Sequence, residues 1–460
     1  MVHLYKNNGY NIAIDANSGC VHSVDEVAYD IISMYEAFSR EEITEKILEK
    51  YSGREDVTGE DVSAVLDDIE ELKAQGKLFS EDKYRPLASQ LAKKNPVIKA
   101  LCLHIAHGCN LACKYCFAGD GEYHGEKALM SLEVGKRAID FLIENSGTRR
   151  NLEVDFFGGE PLLNFGVVKD IVAYARQQEK AFDKHFRFTL TTNGVRLDDD
   201  VVEFANRECY NVVLSLDGRK QTNDRMRVSR SGEGSYDTVL PKFKNLVEKR
   251  GGKGYYLRGT YTHFNTDFTN DILHMADLGF TELAMEPVVA PREADFALKE
   301  EDIPVIMEQY DKLAKEMLKH RKEGRPFKFY HYMVDLQSGP CIYKRIAGCG
   351  VGTEYMAVTP TGDLFPCHQF VGKDEFKLGN IFDGILNNEV RDKFKDCNVY
   401  SRPHCDDCFA RLYCSGGCTA NAYNATGDLN GCYELGCILH RKRIECAVMM
   451  RIAELEQDSE

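Results

Sequence analysis

The feature of this sequence that most constrains its fold is a set of 17 cysteines, most of them grouped at short spacings. The chain shows neither a basic, apolar leader nor an uninterrupted apolar run of about 18 residues, so we expect a cytoplasmic protein. Thiols stay reduced there, and an odd number of cysteines does not suit a disulfide framework. Closely spaced thiolates in a reducing compartment instead predict iron–sulfur or zinc sites.

Length and charge limit the number of domains and the kinds of partner that we expect. A chain of 460 residues predicts two or three domains. Its formal charge of -15 argues against a nucleic acid partner, which needs a basic surface to neutralise phosphates, and against an anionic membrane surface. We therefore expect neither nucleic acid nor membrane as a partner.

Residues 1–85 predict a small domain of three strands followed by three helices. The predicted elements are strands at His3–Tyr5, Asn11–Asp15 and Val21–Val24 and helices at Glu26–Phe38, Glu41–Tyr51 and Thr58–Gln75. This order resembles a winged helix. Such domains commonly bind DNA, but these helices are rich in Glu and Asp. A polar connector, Glu81–Asn95, is expected to follow.

Residues 96–325 alternate between extended apolar runs and helical stretches. The predicted strands are Ile98–Ile105, Leu152–Phe157, Phe186–Thr191, Val212–Leu216, Tyr255–Tyr261 and Glu282–Val288. The predicted helices lie near 131–145, 166–180, 198–207, 236–249, 267–278 and 301–322. Six such units predict an α/β fold in which a parallel sheet curls into a partial barrel. Active sites in such barrels lie at the carboxyl ends of the strands.

Residues 340–450 hold most of the cysteines between short segments rich in Gly and Pro. With little periodicity and little apolar core of its own, this part is expected to depend on metal clusters for its stability.

Two motifs follow the first two barrel strands. Cys109, Cys113 and Cys116 follow the first strand, and three thiolates on a loop can bind three irons of a 4Fe-4S cube and leave one iron open. Gly158-Gly159-Glu160 follows the second strand. Its glycines would let the backbone approach a ligand, and Glu160 could accept hydrogen bonds from an ammonium group. The cysteines alone would also suit a zinc site.

Together these motifs resemble the radical S-adenosylmethionine (SAM) superfamily. The resemblance implies a partial (β/α)6 TIM barrel in which SAM binds the open iron and is cleaved to a radical that abstracts hydrogen. It also implies a cofactor pocket with Asn193, Ser215 and Asp217, each of which could equally be a strand-end cap or turn residue.

The C-terminal cysteines resemble the SPASM extension of radical SAM peptide maturases, which implies two auxiliary 4Fe-4S clusters and three clusters in all. The resemblance assigns Cys405, Cys408, Cys414 and Cys437 to an outer cluster and Cys349, Cys367 and Cys418 to an inner one. Cys341 could supply the fourth inner ligand, or that iron is open, and Cys432 competes with Cys437. Five other cysteines are expected to be inert: Cys20, Cys102, Cys209, Cys397 and Cys446.

Over its whole length the chain resembles maturases of six-cysteine (SCIFF) peptides. That resemblance implies an N-terminal domain that binds the leader of a Cys-rich precursor peptide as an added strand. It implies thioether formation between a cysteine sulfur and an acceptor carbon, as in sactisynthases and ranthipeptide synthases, with electrons from a reductant such as ferredoxin or flavodoxin.

Two other functions stay open. Sulfatase maturases resemble the barrel and the SPASM part, but they carry an Asp base where this chain has His368, which could accept a proton or serve only as a polar neighbour. They also lack the N-terminal domain. A non-enzymatic electron carrier would explain the cysteines but not the Gly-Gly-Glu motif.

Overall fold

The first 24 residues form an antiparallel sheet that is followed by three helices. A computed structural model of the chain describes residues 1–92, 96–119, 121–123, 125, 127–336 and 341–457. The sheet has the order β1-β2-β3. Its strands are β1 (Val2–Asn7), β2 (Tyr10–Asp15) and β3 (Val21–Val24), and the helices are α1 (Glu26–Met34), α2 (Arg40–Lys50) and α3 (Gly59–Ala74). Capping boxes at Ser39 and Thr58 begin α2 and α3. The predicted order of elements is present, although α1 ends at Met34 and not at Phe38.

The segment predicted as a polar connector contains a helix, α4 (Arg85–Ala92). The sequence prediction was wrong here because Ala88 packs into an apolar cluster with Ile346, Val399 and Leu412 of the C-terminal part. Residues 93–95, the end of the predicted connector, lie outside the described residues.

Six parallel strands form the curved sheet that the sequence predicts, in the order β10-β9-β8-β7-β6-β4. They are β4 (Ala100–His107), β6 (Asn151–Gly158), β7 (His185–Thr192), β8 (Cys209–Ser215), β9 (Tyr255–Tyr261) and β10 (Glu282–Pro287). The helices are α5 (Leu132–Asn145), α6 (Phe165–Phe182), α7 (Asp199–Glu208), α8 (Lys220–Met226), α9 (Tyr236–Arg250), α10 (Thr269–Asp277) and α11 (Ile303–Lys322). Two short strands, β5 (Ala128–Leu129) and β11 (Lys328–Phe329), join the sheet beside β4 and β10.

The two faces of this sheet differ in chemistry. On β6, Leu152, Val154 and Phe156 are fully buried and belong to the main hydrophobic core. The alternate residues, among them Asp155, point to the other face, the interior of the barrel. The barrel interior is therefore partly polar, while its outer face packs against the helices.

The C-terminal part continues the same sheet, which was not expected from its irregular sequence. Its strands are β12 (Tyr355–Val358), β13 (Asp363–Phe365), β14 (Gly379–Asn380) and β15 (Gly384–Ile385). Its helices are α12 (Ile342–Ala347), α13 (Asn388–Asp396), α14 (Arg411–Cys414), α15 (Thr419–Thr426) and α16 (Glu434–Gln457). Strand β12 pairs in parallel with β4. This part also has apolar packing of its own, since the rings of Phe370, Phe376 and Phe394 contact one another. Its predicted first residue, Pro340, lies outside the described residues.

Helix α16 packs on α11 and on β1, so it joins the last part of the chain to the other two. Arg443 and Cys446 of this helix are buried. Among the described helices, none combines the length and the apolar character needed to cross a membrane.

Candidate active site

The loop after β4 brings together the first three predicted thiols, those of Cys109, Cys113 and Cys116. Burial, with smaller contributions from Glu160 and from the thiols of Cys113 and Cys116, raises the pKa of Cys109 to about 12. Burial also raises the pKa of Cys113 to about 11. Only thiolates bind iron, so metal binding here would release protons.

The end of α8 and the segment that follows it hold this loop by hydrogen bonds. The backbone N–H groups of Ala112 and Lys114 donate to the carbonyls of Val228 (2.8 Å) and Met226 (3.0 Å). Arg230 Nε donates to the Cys109 carbonyl at 2.8 Å. Hydrogen bonds therefore hold the backbone that carries the three thiols to the end of α8 and to the segment after it.

Gly158 and Gly159 lie against the backbone at the end of β4. A Cβ on Gly158, whose φ is +120°, would meet the Ala106 oxygen at 2.4 Å, and one on Gly159 would meet the Gly108 oxygen at 2.1 Å. The close packing against the end of β4 therefore requires glycine at both positions, and the approach of a ligand to them stays a prediction. The Gly158 carbonyl also already accepts a hydrogen bond from the Tyr123 hydroxyl at 3.1 Å.

Glu160 is buried, and its carboxylate is bonded mainly to the chain itself. Oε1 accepts from Leu162 N (3.1 Å) and Thr192 Oγ1 (2.7 Å), and Oε2 accepts from Asn193 N (2.8 Å). Burial raises the pKa of Glu160 to about 7, although these hydrogen bonds oppose the rise. A carboxylate has about four acceptor positions, so Glu160 mainly joins β6 to β7 and has about one left for an ammonium group.

Asn193 links the end of β7 to the cysteine loop. Its Nδ2 lies 3.4 Å from Cys109 Sγ and donates to Asn110 Oδ1 at 2.8 Å. A hydrogen bond to a ligating sulfur stabilises the thiolate and tunes a cluster. Asn193 therefore lies where a residue beside the metal site is expected.

Ser215 and Asp217 differ in position. Ser215 lines the cavity described below, whereas Asp217 is not among its lining residues. The Asp217 carboxylate accepts from the Tyr115 hydroxyl (2.6 Å), Arg227 Nε (2.9 Å) and Thr260 N (2.9 Å). Asp217 thus fixes Tyr115, which lies between two of the cysteines.

A cavity of about 240 Å³ opens on the three thiols at the carboxyl ends of the strands. Its lining includes Cys109, Cys113, Cys116, Gly158, Gly159, Glu160, Asn193, Ser215, Arg258, Glu286 and His368. Three adjacent thiols at the edge of such a cavity fit a cube with one open iron, since a ligand can reach that iron from the cavity. Cys109, Cys113 and Cys116 would hold the cluster, and Glu160, Asn193 and Ser215 would face SAM.

His368 lies on the side of this cavity formed by the C-terminal part. Its ring packs 5.1 Å from that of Phe157 and 5.6 Å from that of Phe117. Nδ1 is buried and has no hydrogen-bond partner among the described residues. Burial lowers the pKa of His368 to about 4, with Arg258 acting in the same direction, so the ring is neutral near pH 7.

The C-terminal thiols fall into two groups. Burial, with smaller contributions from the thiols of Cys432, Cys408 and Cys414, raises the pKa of Cys405 to about 12. Burial raises the pKa of Cys437 to about 12, and Cys432, Cys414 and Cys405 act in the same direction. The structure therefore places Cys432 beside the predicted outer ligands and does not choose between it and Cys437.

The second group is formed by Cys349, Cys367 and Cys418. Burial raises the pKa of Cys367, and Cys418 and Cys349 raise it further. Cys341 is exposed and is not among the groups that raise the pKa of Cys367 or Cys418. Its thiol instead raises the pKa of Tyr343.

All 17 cysteines lie in the described part of the chain, and none forms a disulfide. Within that part, no three His, Cys, Asp or Glu side chains converge as the ligands of a single metal ion do. Cube clusters need wider spacing, because each thiolate binds a different iron. Of the five cysteines expected to be inert, Cys20 is half-buried. The other four are buried: Cys102, Cys209, Cys397 and Cys446.

Sequence analysis missed several residues of this site. Arg227 donates a hydrogen bond to Asp217, and Tyr123 donates one to the Gly158 carbonyl. The cavity lining also includes Arg258 and Glu286. The positions of Arg258 and Glu286 on predicted strands were a usable signal, since a charged residue on a barrel strand needs a polar interior. Tyr123 lies in an irregular loop and gave no such signal.

Two family models match the chain. The radical SAM superfamily model matches residues 103–278, and the model of the SPASM iron–sulfur cluster-binding domain matches residues 349–409. The chain is 26% identical over 340 residues to the cysteine-type anaerobic sulfatase-maturating enzyme of Clostridium novyi, which spans 68% of this chain and 85% of that one.

Solved structures share the fold. That of anSMEcpe with bound AdoMet and the Cp18Cys peptide has a TM-score of 0.64 at 20% identity and covers 79% of this chain and 100% of its own. Streptococcus suis SuiB bound to S-adenosylmethionine has a TM-score of 0.52 at 17% identity and covers 95% of this chain and 98% of its own. The likeness to SuiB therefore extends into the N-terminal part.

Proposed function

We propose that this protein, a radical SAM enzyme with a C-terminal SPASM domain, forms thioether bonds in a ribosomally made, Cys-rich precursor peptide of the SCIFF type. When bound, the cluster and SAM supply a radical that removes hydrogen from carbon. The reaction removes one hydrogen from the acceptor carbon and one from the cysteine thiol, and a C–S bond forms. One electron leaves within the hydrogen atom that the radical takes from carbon, the thiol hydrogen leaves as a proton, and the remaining electron would pass to an auxiliary cluster.

The observation that carries this proposal is the junction between the inner thiol group and the cavity. Cys367 belongs to the inner group, and the next residue, His368, lines the cavity. Cys349, Cys367 and Cys418 would supply three ligands, with Cys341 apart from them. One position is then left for a substrate cysteine, which would be held as the nucleophilic thiolate beside the cavity.

The N-terminal sheet suits a leader-binding role, and its two edges differ. The β1 edge packs against α16, where His3 Nε2 lies 2.9 Å from Glu445 Oε1 and the Tyr5 hydroxyl donates to the Glu445 carbonyl at 3.0 Å. Strand β3, at the other edge, pairs only with β2 among the described strands. We therefore assign residues 1–85 to leader recognition, with the leader added as a strand beside β3.

The cofactors follow from the three thiol groups. Cys109, Cys113 and Cys116 would hold the cluster that binds SAM. Two auxiliary clusters would be held by the inner and outer groups of the 340–450 region. Ferredoxin or flavodoxin is the proposed reductant.

The alternative is a sulfatase-type maturase, and similarity to the Clostridium novyi enzyme favours it. That reaction needs a base, for which such enzymes use an Asp. Here the position is His368, a departure from that pattern. The N-terminal domain of this chain also favours the thioether proposal.

The test uses anaerobic, reduced protein, SAM and the Cys-rich peptide encoded beside this chain, followed by tandem mass spectrometry. Loss of two hydrogens, with a cysteine joined to the acceptor residue in the fragment spectra, supports thioether formation. A new carbonyl supports the sulfatase-type alternative, whether it forms at Cys with loss of sulfur or at Ser with loss of two hydrogens. Absence of 5′-deoxyadenosine supports an electron carrier. C113A should abolish SAM cleavage, whereas C20A, whose thiol belongs to none of the three groups, should not.

A further inference from the structure

The wall of the cavity that lies across the sheet from the cysteine loop carries two charged residues with no role so far. Arg258 lies on β9 and Glu286 on β10, and both line the cavity. In the sheet register, Ser215 pairs with Arg258, and Thr260 pairs with Glu286. The cysteine loop, Glu160 and Asn193 belong to the opposite side, around β4, β6 and β7.

The charge of Glu286 is balanced by the protein. Arg443 Nη1 lies 3.7 Å from one carboxylate oxygen, and His331 Nε2 lies 3.1 Å from the other. Burial alone would raise the pKa of Glu286, but His331, Arg443 and Arg258 together lower it well below its usual range. Glu286 is therefore an ionised, already paired group.

Arg258 is in the opposite situation. Its side chain is exposed although β9 is an inner strand of the sheet, because it points into the open interior of the barrel. Within the described residues, its guanidinium makes neither a hydrogen bond nor an ion pair, whereas the other cavity guanidinium, Arg227, is bonded to Asp217. Its five N–H donors are free to bind oxygen acceptors.

We propose that Arg258 is a substrate-positioning residue that binds an oxygen acceptor, a backbone carbonyl or a side-chain carboxylate, of the peptide segment being modified. This inference rests on the proposed function. A planar, forked donor can fix a peptide segment in orientation as well as position. Bound there, the segment lies across the cavity from the cysteine loop and beside His368, with the inner thiol group behind it.

The test compares R258M and R258K with the wild type, and R207M, on the outer surface of α7, is the matched control. Each protein is assayed anaerobically for SAM cleavage without peptide and for turnover of the precursor peptide. Loss of a charge-assisted hydrogen bond predicts a KM for the peptide about 10- to 100-fold higher in R258M, with partial recovery in R258K. Peptide-independent SAM cleavage and iron content should match the wild type, as in R207M.

Two outcomes would overturn the inference. An unchanged peptide KM in R258M would show that Arg258 does not contact the substrate. A parallel loss of peptide-independent SAM cleavage would show that Arg258 serves SAM and not the peptide.

Failure of the proposed function can be distinguished from failure of the role proposed for Arg258. If the wild type makes no thioether, a fluorescent peptide of the Cys-rich segment without leader still reports binding. Weaker binding to R258M than to R207M upholds the role of Arg258, and equal binding rejects it. A peptide in which Asn and Gln replace Asp and Glu distinguishes the two acceptors. If Arg258 binds a side-chain carboxylate, this peptide should bind the wild type as weakly as the original peptide binds R258M. If Arg258 binds a backbone carbonyl, its binding should be unchanged.

Discussion

The contact between Gly159 and the end of β4 yields the sharpest prediction. In G159A, the new Cβ would lie 2.1 Å from the Gly108 oxygen, far inside van der Waals contact. That neighbour is backbone and cannot rotate away, so the ends of β4 and β6 must separate. Overpacking costs about 1–3 kcal/mol, and weakening the Gly159 N–Ala106 O and Glu160 N–Gly108 O bonds adds about 1 kcal/mol each.

We therefore expect the apoprotein of G159A to lose about 3–5 kcal/mol in the urea unfolding of the barrel and to cleave SAM poorly after cluster reconstitution. The control is G166A in α6, where the added Cβ meets no atom within 4 Å. That change should stabilise the protein by about 0.4–1 kcal/mol, because alanine restricts the unfolded chain. Wild-type stability and activity in G159A would refute the steric argument.

Three further predictions concern other parts of the chain. Burial raises the pKa of Asp155 from 3.8 to about 6, so its contribution to stability is complete below pH 3.8 and is lost as pH rises through 6. D155N should therefore be more stable than wild type by up to about 3 kcal/mol at pH 8 and nearly equal to it at pH 4 in denaturant titrations; equal curves at both pH values would contradict this. C341S should retain the wild-type iron content, whereas C349S should lose about one cluster's iron, and loss of iron in C341S would make Cys341 a ligand. R411M removes a buried guanidinium bonded to Asp82 at 3.0 Å, which should cost about 3–5 kcal/mol in urea unfolding; an unchanged midpoint would contradict a stabilising role.

Much of the fold could be predicted from the sequence because local pattern and tertiary environment agree. Strands such as Tyr255–Tyr261 and helices such as Thr58–Gln75 carry the periodicity of the surfaces they bury. The connector helix α4 was missed because Leu87 and Ala88 pack against residues more than 250 positions away. Strand β12 was missed because its pairing with β4 is equally non-local.

The sequence predicts which residues belong to the site better than it predicts their hydrogen-bond partners. The spacing of Cys109, Cys113 and Cys116 indicated their grouping, and the positions of Glu160 and Asn193 at strand ends placed them near it. Their roles depend on partners from distant segments. Glu160 is bonded to the end of β7, which no local pattern reveals, and Asp217 is turned away to hold Tyr115.

Helix α16 contacts the outer thiol group, the cavity wall and the N-terminal sheet. Cys437, in its first turn, belongs to the outer thiol group, and Arg443 reaches Glu286 in the cavity wall. Glu445 contacts His3 of the N-terminal sheet. One helix therefore contacts the proposed outer cluster, the cavity and the proposed leader-binding domain.

The most direct test of the account is electron paramagnetic resonance of anaerobically reduced protein, with and without SAM, on the wild type and C113A. We expect a reduced-cluster signal that changes on addition of SAM and is absent in C113A, as a SAM-binding cluster at Cys109, Cys113 and Cys116 requires. Spectra that are unchanged by SAM, or a SAM-responsive signal that persists in C113A, would contradict it.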